Sequence, residues 1–382
     1  MLLLAYAVMI TIGWIGLSVY LLYNRSRVKA LKDVTLKNRT EFPEVVIIIA
    51  IRNEETNLAE ALQSVCQLQY PHFRILLIND RSTDKTPILI EDFAARYPFI
   101  TTKHITELPP GWLGKNDALY QGYKASSEEW MLFTDADVLF HPLALKKAMQ
   151  NVQEKRLEHL TVLPDVQSRS QLLNSALSTF TLMIETRQRP WAIKDPKSSA
   201  SLGIGAFNLV HRKAYEKAGT HQAIALRPDD DLKLGLRIKA SGGKQDALYG
   251  KDHVGLEWYT SVAEFRQGLM KNMFSIYNYN FFKMLLFGVL PTLFVFVVPL
   301  PMLLLFGGNI EKLLAAIILL CQILLFSLNK YARTKWWHTL LIPYAGAVMV
   351  YIMLKAGLLT LQQKGIYWRE SFYPLKELKK SK

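Results

Sequence analysis

A stretch of the sequence without charge sets the first constraint on the fold. Residues 2–23 contain no charged side chain. A helix rising about 1.5 Å per residue over this length crosses a hydrocarbon core of roughly 30 Å. The basic residues Arg25, Arg27 and Lys29 follow the stretch, whereas a signal peptide carries its positive charge in front. The pattern predicts an uncleaved transmembrane anchor at 1–23 and a basic juxtamembrane linker at 24–42 on the cytoplasmic side.

Three further apolar blocks occur in the C-terminal part, at about 284–306, 313–328 and 340–361. Basic and aromatic residues precede the last block: Lys330, Arg333, Lys335, Trp336 and Trp337. This combination is typical of a cytoplasmic loop with anchors at the membrane interface. The blocks predict a multi-pass protein of the cell membrane whose intervening domain is cytoplasmic.

The basic C-terminal tail at 364–382 conflicts with three complete C-terminal spans. An odd number of crossings after a cytoplasmic domain would leave this positive segment outside, against the usual charge rule. The block at 284–306 contains three prolines, and the last block is interrupted by Lys355. Either block is therefore open to a re-entrant or interfacial interpretation. We predict transmembrane or re-entrant helices at 284–363, with the number of full spans left open.

Composition narrows the class of protein and of partner. The chain of 382 residues is 50% hydrophobic and carries a net charge of +14. The apolar content excludes a disordered chain, and two cysteines exclude a disulfide scaffold. Cys66 and Cys321 form no metal-spaced pair and are predicted to be reduced structural residues. Because no zinc-finger spacing or RNA-binding aromatic motif accompanies the charge, it predicts contact with an anionic membrane surface and not with nucleic acid.

The part between the membrane segments alternates strand and helix patterns. Apolar runs typical of strands occur at 45–49, 74–78, 100–104 and 130–134, and helical patterns at about 54–68, 85–95 and 116–125. This alternation predicts a parallel α/β sheet, whose ligands bind at the carboxyl ends of its strands. Polar residues collect at those ends: Arg52, Asn53, Glu54, Asp80, Asp135 and Asp137.

A phosphate-bearing ligand at this edge would need a cation. The sequence contains neither G-x-x-x-x-G-K-S/T nor G-x-G-x-x-G after a strand, the two patterns in which backbone amides bind phosphate. Asp135 and Asp137 are one residue apart and suit a hard divalent ion that also binds phosphate oxygens. Any one of these carboxylates could instead be a helix N-cap or a turn residue. Acids at three strand ends together favour a binding site.

Four motifs in this order resemble the family 2 glycosyltransferases, which have the GT-A nucleotide-sugar-binding fold. They are VVIIIAIRNEE from Val45, LLINDRSTDKT from Leu76, the D-x-D element of LFTDADVLF, and RPDDDLKLGLRIK from Arg227. The resemblance implies a GT-A glycosyltransferase domain at 43–256, joined to one N-terminal and about three C-terminal transmembrane helices. It also implies a UDP-sugar as the donor substrate and Mg²⁺ or Mn²⁺ as the cofactor.

The same resemblance assigns expected roles to residues of the strand ends. Four of them are expected around the nucleoside: Ala50, Arg52, Glu54 and Asp80. The resemblance implies that Asp135 faces the ribose or the donor sugar and that Asp137 ligates the metal ion on the diphosphate, with Asp135 as the second candidate ligand. Lys115, in ELPPGWLGKNDAL, matches a basic position near the donor phosphates.

The acidic triplet Asp229, Asp230 and Asp231 has a structural and a catalytic interpretation. Carboxylates in this position can cap a helix or favour its first turn. In the family pattern, an acidic pair is followed by two residues and a leucine, which aligns with Asp230, Asp231 and Leu234. The resemblance therefore implies that Asp231 is the general base and Asp230 its neighbour, with the choice between the two left open. Clustered acids can raise one pKa toward a useful value.

The acceptor is expected to lie in the membrane. Residues 257–283 combine basic and aromatic side chains in a pattern typical of an amphipathic interfacial helix. The loop around Pro190 and Trp191 is a second candidate for contact with the lipid surface. The N-terminal anchor, LPPGWLGK, GAFNLVHRKAY and YWRESFYP resemble a bacterial membrane subgroup that includes carotenoid (diaponeurosporenoate-type) glycosyltransferases. The chain lacks the Q-x-x-R-W motif of processive polysaccharide synthases, which counts against a long polymer.

These features lead to one main functional hypothesis. It is inverting, metal-dependent transfer of a single sugar from a UDP-sugar to a carotenoid, terpenoid or other membrane lipid at the cytoplasmic membrane face. Within the enzyme class, a polyprenyl-phosphate sugar synthase or a polysaccharide synthase is the alternative. A membrane scaffold that retains the nucleotide fold is the alternative from outside it.

Overall fold

The β-branched run after Pro43 forms the central strand of a seven-stranded sheet in the computed structural model. The structure describes residues 1–37, 42–166, 168–329, 335–368 and 371–379. Part of the predicted linker at 24–42 lies outside the described residues. So do the basic residues Lys330, Arg333, Arg369, Lys380 and Lys382.

The strands are short and mostly buried. They are β1 (Val45–Ile51), β2 (Phe73–Asp80), β3 (Ile100–Ile105), β4 (Trp130–Thr134), β5 (Leu139–Phe140), β6 (His159–Leu163), β7 (Asp165–Val166), β8 (Asn208–His211), β9 (Gln245–Tyr249), β10 (Val254–Leu256), β11 (Gly365–Trp368) and β12 (Ser371–Pro374). The four strands that the sequence predicts, β1 to β4, are all present. Their β-branched and aromatic residues fit a sheet covered on both faces.

The large sheet is mixed. Its strand order is β3-β2-β1-β4-β8-β6-β9. Strands β1 to β4 pair in parallel, as the sequence predicts, whereas β8 is antiparallel to both β4 and β6. The sequence predicted the parallel pairing of β1 to β4 but did not predict the antiparallel strand β8. The amide of Asp135, just after β4, donates a hydrogen bond to the carbonyl of Gly205 (3.0 Å). The chain therefore passes the carboxyl end of β4 before it enters β8, which is antiparallel to β4.

The helices alternate with the strands and then dominate the C-terminal part. They are α1 (Leu2–Arg25), α2 (Leu58–Cys66), α3 (Thr86–Arg96), α4 (Gly114–Lys124), α5 (Ala144–Lys155), α6 (Gln171–Gln188), α7 (Arg212–Lys217), α8 (Asp230–Ala240), α9 (Val262–Met273), α10 (Phe281–Met284), α11 (Leu290–Thr292), α12 (Pro299–Phe306), α13 (Asn309–Ser327), α14 (Ile342–Gln362) and α15 (Leu375–Leu378). The helix predicted from residue 54 begins later, at Leu58. Asn53 has a positive φ of 53°, and its side chain accepts a hydrogen bond from the amide of Thr83, so this segment is a loop.

The chain divides into two units. The sheet unit comprises Val28–Asp165 and Gln188–Glu257, and the helical unit comprises Met1–Arg27, Val166–Arg187 and the chain from Trp258. In the sheet unit, α4 packs on β1 and β2, and the core includes Ile48, Ile78 and Phe133. Trp191, also in this unit, is only 4% exposed. It is therefore not available to the lipid surface, contrary to the expectation for its loop.

The helical unit supplies the membrane-compatible surface. Among the described residues, four helices are long and apolar enough to cross a membrane: Leu2–Arg25, Phe281–Phe306, Asn309–Ser327 and Trp336–Gln362. They agree with the four apolar blocks of the sequence and indicate membrane association. In Phe281–Phe306, π-helical turns at Leu285–Val289 and Leu293–Val297 separate the short helices. Pro291 lies between these turns and has no amide hydrogen for the regular helical ladder.

The predicted interfacial helix at 257–283 is interrupted. Helix α9 ends at Met273, and Asn278 and Tyr279 have positive φ values of 52° and 54°. The side chain of Asn280 then accepts a hydrogen bond from the amide of Lys283 and caps α10. Residues with positive φ do not fit a right-handed helix, so the helix is interrupted at this point. The left-handed conformation costs roughly 1–2 kcal/mol per residue.

A buried ion pair joins three helices inside the helical unit. Arg25, at the end of α1, donates from Nε and Nη2 to both carboxylate oxygens of Glu185 in α6. Its Nη1 donates to the carbonyl of Leu325 in α13 (2.8 Å). Both side chains are at most 3% exposed. Each charge is thus compensated in a place where water cannot solvate it.

Replacing Arg25 with methionine should destabilise the protein by about 3–5 kcal/mol, because Glu185 would remain buried without its partner. The measurement is thermal unfolding of the detergent-solubilised protein. Arg27→Met, which removes an exposed arginine two residues away, is the matched control and should change stability little. The double variant Arg25→Met/Glu185→Leu should be more stable than Arg25→Met. Equal unfolding temperatures for Arg25→Met and the parent protein would contradict the structural role of the pair.

Candidate functional site

The carboxyl ends of β1 and β2 bring two arginines to one aspartate. Arg52 Nη1 lies 3.7 Å from Asp80 Oδ2, and Arg81 Nε donates to Asp80 Oδ1 (2.7 Å). Gly114, at the start of α4, faces the same carboxylate, and a Cβ atom at Gly114 would overlap Asp80 Oδ2. The structure therefore holds Asp80 between two cations, beside the beginning of the helix that carries Lys115. Ala50 precedes this group on β1 and is partly exposed.

Lys115 forms ion pairs with an acid that follows β4 and with an acid of α8. Its Nζ lies 2.7 Å from Asp135 Oδ1 and 3.7 Å from Asp230 Oδ2. Burial would lower the pKa of Lys115, but Asp135, Asp230 and Asp231 together raise it above its usual value. Lys115 is therefore a fixed positive charge among carboxylates. The sequence predicted that all four residues belong to one site, and the structure brings them together.

Asp137 lies in a strongly negative environment. Burial, followed by the charges of Asp135 and Glu54, raises the pKa of Asp137 to about 7. A divalent cation would relieve this repulsion, so the donor set fits a hard metal ion. Among the residues that the structure describes, no three His, Cys, Asp or Glu side chains gather into a complete metal site. An ion held by Asp137 and Asp135 would take its remaining ligands from the donor phosphates and from water.

The acidic triplet divides into three separate contacts. Asp229 precedes α8 and forms a bidentate ion pair with Arg227, with both distances 2.8 Å. Asp230 faces Lys115, and Asp231 Oδ2 accepts a hydrogen bond from the amide of Gly205 (2.9 Å). Burial and the neighbouring Asp230 raise the pKa of Asp231 to about 7, while Lys115 acts to lower it. Asp231 is thus a carboxylate that can exchange a proton near neutral pH.

Gly205 lets β4 and α8 approach each other. Its amide contacts Asp231, and a Cβ atom at this position would come within 2.5 Å of Asp135 Oδ2. Any side chain there would separate the D-x-D element from the acidic helix. Residues 203–208, with the sequence GIGAFN, therefore contribute backbone to the site.

Asn116 is a site residue that the sequence did not single out. Its side-chain Nδ2 donates to the carbonyls of Ile224 (2.9 Å), Ala225 (3.1 Å) and Arg227 (2.9 Å). Asn116 is fully buried. One amide thus fixes the segment that leads into α8. Its position beside Lys115 at the start of a helix was the only signal in the sequence. Its hydrogen-bond partners lie more than a hundred residues further along the chain, so these contacts could not be predicted.

Residues 46–219 match the family model described as glycosyl transferase family 2. The matched residues make up a little less than half of the chain. Two relatives with names that describe sugar-transferring enzymes are similar to about half of this chain. One is the probable glycosyltransferase YdaM of Bacillus subtilis, 30% identical over 52% of this chain and 47% of that protein. The other is the poly-β-1,6-N-acetyl-D-glucosamine synthase of Staphylococcus epidermidis, 27% identical over 57% of this chain and 51% of that protein.

A solved structure has a similar fold. The mannosyltransferase PcManGT from Pyrobaculum calidifontis, solved in complex with GDP-Man and Mn²⁺, superposes with a TM-score of 0.53 at 17% identity, over 95% of this chain and 99% of that structure. This likeness shows the fold, a GT-A-like mixed α/β sheet, as the sequence predicted. The chain spans about half the length of the curated relatives that it matches.

Replacing Asn116 with alanine should slow sugar transfer by about 10²-fold, because a displacement of about 1 Å in a catalytic group has an effect of this size. Three carbonyls would lose their shared donor, and Asp230 and Asp231 would lose their fixed position. The matched control is Asn151→Ala. Asn151 is equally buried in the same unit, but its Nδ2 has no hydrogen-bond partner among the described residues. Full kcat in Asn116→Ala at normal thermal stability would contradict the positioning role.

Proposed function

We propose that this protein transfers a single sugar from a UDP-sugar to a hydroxyl or carboxylate of a membrane-dissolved acceptor, with inversion at the anomeric carbon. The observation that carries this proposal is the cluster at the strand ends. Lys115 lies between Asp135 of the D-x-D element and Asp230 of the acidic helix. Burial and neighbouring charges raise the pKa values of Asp137 and Asp231 to about 7. The family 2 domain supports the reaction class, and the four apolar helices support an acceptor from the membrane.

The residues divide the work of the reaction by position. Asp231 is the proposed general base: in its ionised form it takes the proton of the acceptor hydroxyl as the oxygen attacks the anomeric carbon. The neighbouring Asp230 raises the pKa of Asp231 and so favours proton uptake there. Lys115 offers positive charge for the donor phosphates, and Arg52 and Asp80 contribute to the nucleoside site. Asp137 and Asp135 would hold a divalent ion, which would add charge stabilisation for the departing nucleoside diphosphate.

The cellular setting is proposed from the charge pattern. The basic residues that follow α1 favour a cytoplasmic sheet unit in a multi-pass protein of the cell membrane. Nucleotide sugars reach an enzyme in this position from the cytoplasm, and lipids reach it from the bilayer. The motifs shared with the carotenoid-type subgroup favour a carotenoid or another terpenoid as the acceptor.

A polysaccharide synthase is the second candidate, because relatives from Staphylococcus epidermidis and Staphylococcus aureus carry the name poly-β-1,6-N-acetyl-D-glucosamine synthase. The absence of a Q-x-x-R-W motif from this sequence favours single transfer. A polyprenyl-phosphate sugar synthase differs in its acceptor, an anion that needs little help from a base.

The deciding experiment compares lipid extracts of membranes with and without the protein after incubation with radiolabelled UDP-sugars and Mn²⁺. We expect a labelled, organic-soluble product with one sugar, identified by mass spectrometry. Label in a long water-soluble polymer would support the synthase alternative. If neither label nor free nucleoside diphosphate is formed with any UDP- or GDP-sugar, the enzymatic proposal is wrong and the scaffold alternative gains support.

A further inference from the structure

Residues of the helical unit line a partly open cavity of about 320 Å³. Its volume is at the low end of the range for ligand pockets. Aromatic and aliphatic side chains from five parts of the unit line it, among them Leu17, Phe180, Ile276, Phe287 and Val295. An apolar cavity of this kind does not hold water well, because water needs two or more polar partners. Its physical preference is for an apolar chain.

The walls can adapt to such a chain. Four of the lining residues are methionines: Met183, Met273, Met349 and Met353. Methionine side chains are flexible and polarizable, and they are frequent where a surface accepts irregular apolar ligands. The two lining threonines offer no free donor, because each hydroxyl donates to a carbonyl of its own helix. The inner surface is therefore apolar without being rigid.

The backbone of one wall departs from regular helix. Phe287 and Gly288 belong to the first π-helical turn of the span Phe281–Phe306, and Val295 and Phe296 belong to the second. Such turns are rare and are frequently found at functional sites. Gly288 also lets Tyr277 approach, since a Cβ atom there would overlap the Tyr277 hydroxyl. The widened turns and the glycine together shape the cavity.

One charged residue lines the cavity. Arg187 is its only charged lining residue among those described, and its guanidinium lies over the Tyr277 ring, 5.4 Å from the centroid. Arg187 is exposed, and the described residues include no carboxylate paired with it. It belongs to α6, which also contributes apolar lining residues, as do three of the candidate spans. The cavity thus combines one exposed cation with a largely apolar lining.

We propose that this cavity binds the acceptor of the transferase, a single-chain amphiphile whose apolar chain fills the interior and whose anionic head group meets Arg187. The identification of this amphiphile as the acceptor rests on the proposed function. Charge complementarity selects the head group, because the arginine fork forms bidentate hydrogen bonds with carboxylate and phosphate oxygens. The volume selects one chain, since a two-chain lipid has twice the apolar bulk.

The test measures binding separately from transfer. The full-length protein in detergent is labelled with a photoreactive sixteen-carbon fatty acid, and with the fatty alcohol of the same length. We expect the acid to label peptides of α6 or of Phe281–Phe306. Val295→Trp and Met183→Trp, which fill the cavity from two walls, should reduce labelling at least about fivefold. Leu290→Trp, at an exposed position of the same span that does not line the cavity, is the matched control.

The head-group assignment has its own readout. Arg187→Gln should weaken labelling by the acid severalfold and leave labelling by the alcohol unchanged. Equal effects on both probes, or labelling that survives both tryptophan variants at normal thermal stability, would overturn the proposal. Full competition by a two-chain phosphatidylglycerol would assign the cavity to bulk lipid and overturn it as well.

The transfer assay distinguishes this proposal from the proposed function. If the parent protein transfers sugar and Val295→Trp transfers at the same rate, the cavity is not the acceptor site, although the enzyme stands. If the parent protein transfers no sugar, the proposed function fails whatever the labelling shows. Parallel loss of labelling and of transfer in Val295→Trp and Met183→Trp, with both activities intact in Leu290→Trp, supports both.

Discussion

With a hydroxyl group as the acceptor, Asp231→Asn is expected to lower kcat for sugar transfer by about 10²–10⁴-fold, the usual contribution of a general base. Asparagine has nearly the same shape and can still accept the hydrogen bond from the Gly205 amide through its side-chain oxygen. What it cannot do is take a proton from the acceptor. Donor binding should therefore remain within a few fold of the parent protein, measured by the thermal shift with UDP-sugar and Mn²⁺. Asp252→Asn, at a half-exposed acid outside the site, is the control.

The pH dependence of the parent enzyme should identify the same group. The pKa of Asp231 is raised to about 7 by burial and by Asp230. Only the ionised carboxylate acts as a base, so kcat should rise with pH through about 7 and fall tenfold per pH unit well below it. The measurement is kcat at saturating donor from pH 5 to pH 9. A parent enzyme that keeps its full rate down to pH 5 would contradict the assignment of Asp231.

The same variant separates the candidate acceptors. A hydroxyl group needs a base to become a good nucleophile, whereas a phosphate or carboxylate anion already carries the charge. Large activity in Asp231→Asn would therefore favour an anionic acceptor oxygen, as in a polyprenyl-phosphate sugar synthase. The ligand proposed for the cavity has an anionic head group, so the size of the activity loss in Asp231→Asn also tests whether that head group accepts the sugar. A carboxylate acceptor predicts a smaller loss than a hydroxyl acceptor.

The sequence predicted the part of the fold that depends on local pattern. Buried parallel strands appear as continuous β-branched runs, and acids at their ends mark the binding edge, so β1 to β4 and the residues Asp80, Asp135 and Asp137 could be located directly. The four long apolar helices could be predicted equally well, because the absence of charge over their length is a local property of the sequence. The acid pair of α8 was recognised through its motif.

Features that depend on contacts distant in the sequence were not predicted. The reversal of β8 follows from a turn at Gly205 across the end of β4. The role of Asn116 follows from carbonyls at 224–227. The break after α9 follows from left-handed residues that occur without glycine, at Asn278 and Tyr279. Burial of Trp191 follows from packing inside the sheet unit, which a breaker-rich loop does not reveal.

The metal role is tested by Asp137→Asn, which should reduce transfer by about 10²–10³-fold, since a bound cation contributes several kcal/mol to charge stabilisation. The variant should also lose most of the thermal shift that Mn²⁺ and UDP produce in the parent protein. Asp252→Asn should keep both. A Mn²⁺-dependent shift of normal size in Asp137→Asn would contradict metal binding at this residue.

The ligand-free stability of this variant should change in the opposite direction. The pKa of Asp137 is raised from its ordinary 3.8 to about 7 in the folded protein, so the folded state holds a proton that the unfolded state has released. Its stabilising contribution is complete below about pH 4 and is lost as the pH rises through 7. At pH 8 the ionised Asp137 opposes Asp135 and Glu54, and asparagine removes this repulsion. Asp137→Asn should therefore unfold at a higher temperature than the parent protein at pH 8 without ligand, with the difference shrinking toward pH 5. Lower stability at pH 8 would show that the carboxylate is held by favourable contacts, and the metal would then not be needed to balance its charge.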